Sequence, residues 1–332
     1  MAESEPVIWL QDCTGDCLDL VGGKARSLGA LLAHDFQVPP GFVLSTHAYR
    51  EHVEHNNLAE SIERLLAEAG AVYETQLRAA EQIQALFATS RVPPHVADAV
   101  LAAHARLCEG QPERPLAVRS SATAEDLATA SFAGQQETYL WLLGAEQVLE
   151  HVVRCWASLF TPQAMVYRAH RGQPVTDLAM GVVVQRMVAA DAAGVMLTID
   201  PITGDRSTVT IEAAFGLGAA VVNGEVTPDR YCVDKATLQI RSRSIGAKTV
   251  AYRFAAAVQG VRLEPVPRSQ QQQPCLADDE VLALTRLGAR MEELMGRPQD
   301  MEWAIGPERQ IYLLQARPET VWSQQTEAPL IN

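Results

Sequence analysis

The sequence predicts a mixed α/β (α+β) fold, and three features predict it. From Thr46 to about Glu109, Ala, Leu, Glu, Gln and Arg dominate, and apolar residues fall three and four apart, the spacing of one helix face. After Leu178 come short runs rich in Val, Ile and Thr (GVVVQRMV, GVMLTI, TVTIEAAF, RYCVD and LQIRSRSI), whose branched side chains suit strands. Near the C-terminus a stripe of helical period, Val281, Leu284, Leu287, Met291 and Leu294, stands before two further strand-like runs, DMEWAI and QIYLLQ.

Taken in order, the chain up to Ser45 reads as a loop, a short helix from about Lys24 to His34, and an extended segment over Val38–Leu44 in which Pro39 and Pro40 exclude helix. Stripes such as Leu58, Ile62, Leu65 and Leu66, then Val96, Val100, Leu101 and Leu107, mark helical packing faces in the next stretch. Leu116–Val118 is a short strand, followed by a long loop of small and polar residues, RSSATAEDLATASFAGQQ, and a second strand at Thr138–Leu142. Ala145 to about Arg171 is helical, with a break near Thr161–Pro162. Pro265–Pro274, with four glutamines between prolines, is a surface loop because it has nothing to bury.

The chain has 332 residues, 27 Lys plus Arg and 40 Asp plus Glu, for a formal charge of −13. At roughly 100–200 residues per domain this predicts two or three folding units. An acidic chain without a basic block argues against nucleic acid or an anionic membrane surface as partner. No stretch reaches the ~18 apolar residues needed to span a bilayer, and the acidic N-terminus lacks a secretory signal. The six cysteines are scattered, and Cys13 and Cys17, though close, have no second Cys/His pair at zinc-ribbon spacing. Reduced thiols in a cytoplasmic protein are the expectation.

Four stretches carry chemistry. Val21-Gly22-Gly23-Lys24 leads into a helix, where backbone N–H groups attract phosphate and a lysine supplies a point charge, although the same residues also make an ordinary turn. Arg119-Ser120-Ser121 opens the long loop that reaches Gln136, and such a loop suits a cover over a polyanion; the alternative is a plain exposed loop. In the closing strands, alternation places Asp300 and Glu302 on one face and Gln315 and Arg317 on one face. If the strands form a hairpin, two carboxylates, an amide oxygen and a guanidinium converge, a set suited to magnesium and to a transferring phosphoryl group; a polar outer sheet face is the alternative. Finally, Gln185 ends a valine-rich strand, with Glu212 and Gly216-Leu217-Gly218 beyond it, and reads mainly as core that borders an adenine pocket at most.

The segments VGGKARSLGALL, VPPGFVLSTHAYR, AVRSSATAEDLATASFAGQQETYL, CWASLF and DMEWAIGPERQIYLLQARPET resemble, in order, the nucleotide-binding domain shared by phosphoenolpyruvate synthase, pyruvate phosphate dikinase, rifampin phosphotransferase and phenylphosphate synthase. The similarity runs from about Asp19 to Thr320. It implies an ATP-grasp fold in which two lobes clasp ATP: residues 1–200, with a helical insertion and a phosphate-covering loop, and 201–332, with the metal-binding strands. It implies that Lys24 and Arg119 contact phosphates, that the Gly134–Thr138 loop lies over them, and that Gln185 lines the nucleotide site. Glu302 and Gln315 match magnesium ligands with Asp300 beside them, and Arg317 matches the arginine that stabilises transfer. Ala219, in GLGAA, stands where relatives often carry an acid.

Relatives pass phosphate through a histidine in a Gly-Gly/Ser-His setting on a separate domain, and none of the eight histidines here has that setting. The expectation is therefore a dissociated subunit. It binds Mg-ATP, phosphorylates or pyrophosphorylates a histidine on a partner protein and releases AMP, in the manner of phenylphosphate synthase. A split phosphoenolpyruvate synthase or rifampin phosphotransferase system, a non-catalytic nucleotide-binding module and a self-contained ATP-grasp ligase are the alternatives.

Overall fold

The computed structural model describes residues 5–70, 72–111, 113–123, 137–162, 164–165, 178–255 and 260–322. The chain forms two compact units, Met1–Ala33 with Pro40–Met187, and His34–Pro39 with Val188–Asn332. The boundary at Met187/Val188 lies ahead of the expected residue 200, because the strand Ala192–Leu197 pairs with strands of the second unit. The mixed α/β class expected from the sequence is the one observed.

In the first unit, β1 (Val7–Trp9), β2 (Gly41–Leu44), β3 (Leu116–Ala122), β4 (Thr138–Leu142) and β5 (Met180–Arg186) form an antiparallel sheet in the order β1-β2-β5-β3-β4. The helix α1 (Leu18–Ala33) begins before the expected Lys24. The helical text beyond it resolves into α2 (Thr46–His55), α3 (Leu58–Ala69), α4 (Tyr73–Thr89) and α5 (Pro94–Cys108). Local chemistry explains the punctuation: Asn57 and Gly70 take positive φ, and Pro94 occupies the first turn of α5, where a missing N–H costs nothing. The helix α6 (Gly144–Ala157) continues into a short 3₁₀ turn at Ser158–Phe160.

Alternation along the strands sends Phe42, Leu44, Val118, Val182 and Val184 into one core with Phe87, Trp156 and Phe160. His52 is fully buried there, its ring centroid 4.8 Å from that of Trp156 and 5.8 Å from that of Phe87, with Nε2 2.8 Å from Ser90 Oγ. Burial, helped by nearby His55, pushes its pKa down to about 4.

In the second unit, β6 (Ala192–Leu197), β7 (Thr208–Phe215), β8 (Asp229–Asp234), β9 (Ile240–Ser244), β12 (Gln299–Ile305) and β13 (Ile311–Pro318) build an antiparallel sheet in the order β13-β12-β6-β7-β8-β9. The helix α8 (Asp278–Met295) covers one face, and Gly288 admits Thr198, Met196 and Met301 to within 3.3–3.5 Å of where a Cβ would stand. A short helix, α7 (Ala219–Val222), lies between β7 and β8 in the chain. A separate hairpin, β10 (Val250–Ala255) and β11 (Gly260–Pro265), hydrogen-bonds through Tyr252 O to Leu217 N at 3.1 Å.

The segment leading into β10 is fixed by Asp229 and Lys248, both fully buried and ion-paired. Asp229 also accepts from the N–H groups of Gly246 (3.0 Å) and Cys275 (2.9 Å). β1 and the β10–β11 hairpin are absent from the sequence expectation. The first is three residues long, too short to display alternation, and arginines interrupt the second.

Candidate functional site

In the first unit the candidate site centres on a break in α1. Gly22 has φ 77° and ψ 170°, outside the helical region, so the bond from Ala25 N–H to Val21 C=O is not made directly. The Ser121 hydroxyl fills the gap, accepting from Ala25 N (3.1 Å) and donating to Val21 O (2.8 Å). The approach needs glycine twice over. A Cβ at Gly22 would lie 2.0 Å from Ser121 O, and its φ is in the left-handed region.

Lys24, on the first turn after the break, is 4% exposed and its Nζ donates to Ser120 O at 2.7 Å. Arg119 precedes these serines on β3, buried, and pairs in register with Thr138 on β4 and Val183 on β5. Gln185 lies two residues along β5, opposite Ala117, and is also buried. The sheet thus brings Lys24, Arg119, Thr138 and Gln185 into one region, while Gly134 lies outside the described residues. Burial raises the Cys155 thiol, against the pull of the Lys24 charge. The Ser121 hydroxyl, at the start of the loop, is engaged in repairing the helix.

In the second unit, β12 and β13 form the expected hairpin. Asp300 stands opposite Arg317 and Glu302 opposite Gln315. A bulge at Leu314 then shifts the register, so that Trp303 faces Leu313 and both are buried. All four polar residues therefore share one face, opposite to Met301 and Trp303. They line a cavity of about 240 Å³ whose other walls include Glu212 and the α7 residues Val221 and Val222. Glu212 joins through the register Glu212–Val195–Glu302–Gln315, a single row across β7, β6, β12 and β13. Read in the sequence mainly as core, it belongs to the cavity, and its signal was an isolated acid in a strand of apolar residues. The α7 valines carried no sequence signal, because two valines after GLGAA look like core.

Arg317 donates to Asp300 Oδ2 through Nε (2.9 Å) and Nη2 (2.8 Å). Burial pushes the Asp300 carboxyl above the usual range, opposed by Arg317 and reinforced by Glu302 and Glu319. Glu302, Asp300 and Gln315 are hard oxygen donors of the kind magnesium takes. Among the described residues, no three His, Cys, Asp or Glu side chains are grouped as a metal cage. The donor set fits an ion that uses one or two protein carboxylates and completes its shell with water and phosphate. Among the described residues no histidine lines this cavity, and no helix is long and apolar enough to cross a membrane.

Residues 18–332 match the family described as pyruvate phosphate dikinase, AMP/ATP-binding domain. The chain belongs to this family of ATP-binding domains. Among its relatives, phosphoenolpyruvate synthase of Aeropyrum pernix is 40% identical over 98% of this chain and 43% of its own length. Rifampicin phosphotransferase of a Streptomyces species is 43% identical over 95% of this chain and 36% of that protein. The chain thus spans less than half the length of these relatives. Among solved structures, the ATP-grasp ligase PsnB, complexed with a minimal precursor, aligns at 12% identity and a TM-score of 0.26 over 89% of this chain and 51% of that one.

Proposed function

We propose that this chain is the ATP-binding component of a dikinase-type phosphotransferase. It transfers a phosphoryl or pyrophosphoryl group from Mg-ATP to a histidine on a partner protein and releases AMP. The observation that carries the reading is the β12–β13 register, which sets Asp300 against Arg317 and Glu302 against Gln315 on one cavity face.

In this reading Glu302 and Gln315 hold magnesium, which neutralises phosphate charge when bound. Asp300 orients Arg317 through its two hydrogen bonds, and Arg317 offers its guanidinium to the transferring group. Lys24 and Arg119 hold phosphate oxygens, Thr138 and Gly134 contribute to their cover, and Gln185 borders the nucleotide. An ammonium has three donors, so Lys24 can keep Ser120 O and still reach a phosphate.

The acceptor histidine is assigned to a partner because none of the described histidines lines the β12–β13 cavity, and four of them have contacts elsewhere. His52 is buried among aromatic rings, His104 lies 3.6 Å from Cys108 Sγ, His95 pairs with Glu51, and His151 contacts Gln147 O. Phenylphosphate synthase, in which these functions are split among subunits, is the preferred specific reading, with a cytoplasmic location. The identities of 40% and 43% to a phosphoenolpyruvate synthase and a rifampicin phosphotransferase support a second one, the ATP-binding part of a system of either type.

The test is to incubate the chain with Mg-ATP, with and without a neighbouring-gene protein that carries the histidine motif, and to chromatograph the nucleotides. AMP formed only with the partner is expected. ADP formed with a small carboxylate alone would overturn the proposal in favour of a ligase, and binding without turnover would leave a nucleotide-binding module.

A further inference from the structure

The two cysteines set close together in the N-terminal text have no part in the phosphate chemistry, yet the fold gives them a common setting. Cys13 and Cys17 both line a cavity of about 400 Å³ in the first unit, whose walls include Trp9, Leu20 and Val21. Both ends of the five-residue segment are anchored on α1. The Cys17 carbonyl accepts the N–H groups of Leu20 and Val21, each at 3.0 Å, so Cys17 is the residue that starts the helix. Cys13 sits against the middle of the same helix, where a Cβ at Gly29 would lie 2.1 Å from its carbonyl oxygen. Between the anchors, Gly15 has φ 73° with no neighbour within 4 Å of a Cβ, so the intervening turn has room to adjust.

We propose that Cys13 and Cys17 form a dithiol modification site that low-molecular-weight disulfides convert to an intramolecular Cys13–Cys17 disulfide. Exchange begins at Cys17, which is half-buried, whereas Cys13 is buried and donates its S–H to Trp9 O at 3.4 Å. The Cys17 thiolate attacks one sulfur of the reagent, the reagent S–S bond breaks, and one reagent thiol departs. The Cys13 thiolate then attacks Cys17 Sγ of the mixed disulfide and expels the second reagent thiol. Two protein thiols lose two electrons and two protons, and the reagent leaves as two thiols.

The order of events follows from the surroundings. Burial raises both thiols, Cys13 to about 12, but at Cys17 the Arg26 charge and a backbone N–H oppose the rise. Cys17 therefore ionises more readily and is the more accessible of the two. The second step is slow for an isolated buried thiol, and the placement of both cysteines on one cavity, four residues apart in the chain, compensates because the attack is intramolecular.

The site is tested on the full chain carrying Cys232→Ser, which silences the other half-buried thiol, treated with oxidised glutathione under native conditions. The expected product has lost two hydrogens, carries no adduct, and has two fewer titratable thiols after unfolding. Adding Cys13→Ser should trap a stable glutathione adduct at Cys17, and adding Cys17→Ser should leave the chain unmodified. A stable adduct at Cys17 in the presence of Cys13 would overturn the proposal, as would no modification under conditions that modify the urea-unfolded chain.

Discussion

The two candidate regions handle charge in opposite ways. In the first unit the cations are buried, with Lys24 donating to a backbone carbonyl and Arg119 set within β3. In the second unit charges of both signs line one cavity, and Arg317, on its rim, is half-exposed and tied to a carboxylate. The first arrangement is fixed by folding and cannot be adjusted cheaply. The second is held by side chains on a sheet that would persist without them, because Met301 and Trp303 secure the opposite face. Substitutions in the first region should therefore register in stability, and those in the second in turnover.

The largest expected effect lies in the second region. Arg317→Ala should lower transfer by about a thousandfold, equivalent to about 4 kcal/mol, while ATP affinity and the urea midpoint stay near their original values. Equal losses in affinity and turnover would make Arg317 only an affinity contact. Next, Gly22→Ala should destabilise the chain by about 3 kcal/mol in urea unfolding, since the new Cβ meets Ser121 O and the backbone must leave positive φ. An unchanged midpoint would show that the helix break is adjustable.

Acid separates the regions more finely. His52 has its folded pKa depressed to about 4 from 6.5, so the unfolded state binds the proton more readily between those values. Its contribution is complete above the unfolded value and is lost as pH falls, by about 2 kcal/mol at about pH 5. Asp300 has the opposite sign. Its folded pKa is raised, so acidification relieves rather than adds strain. Urea titrations near pH 7 and pH 5, with and without His52→Gln, test this, and acid sensitivity that survives His52→Gln would rule out the assignment. A smaller effect is expected for Ser121→Ala, about 1.5 kcal/mol for a hydroxyl that bridges two buried backbone groups. Ser120→Ala should be the smallest effect, within about 0.5 kcal/mol, because Ser120 is used through its backbone, the carbonyl to Lys24 and the N–H to Glu137, and its hydroxyl has no partner among the described residues.

The second region was more legible in the sequence than the first. Alternation alone placed Asp300 with Glu302 and Gln315 with Arg317, since the strand period is local and the Leu314 bulge lies outside the pairs that matter. In the first region, Gly22-Gly23-Lys24 announced a loop before a helix. That the helix starts earlier, breaks, and is repaired by Ser121 depends on a contact a hundred residues distant in the chain, which no local pattern encodes. Glu212 was visible as an acid but not as a wall of the cavity, because its place there follows from strand order rather than from its neighbours in sequence.

Three consecutive residues of β3 carry Arg119, the carbonyl that receives Lys24, and the hydroxyl that closes the helix break. The separation of the two cations is thus measured out by the peptide chain itself, like marks on a ruler. In the proposed function neither cation has to be stripped of much water when phosphate arrives, because folding has already removed most of it. On that proposal, an anion whose oxygens match that interval would gain both contacts at once. One that is too short or too branched gains a single contact, and discrimination between anions then comes from length rather than from the strength of attraction.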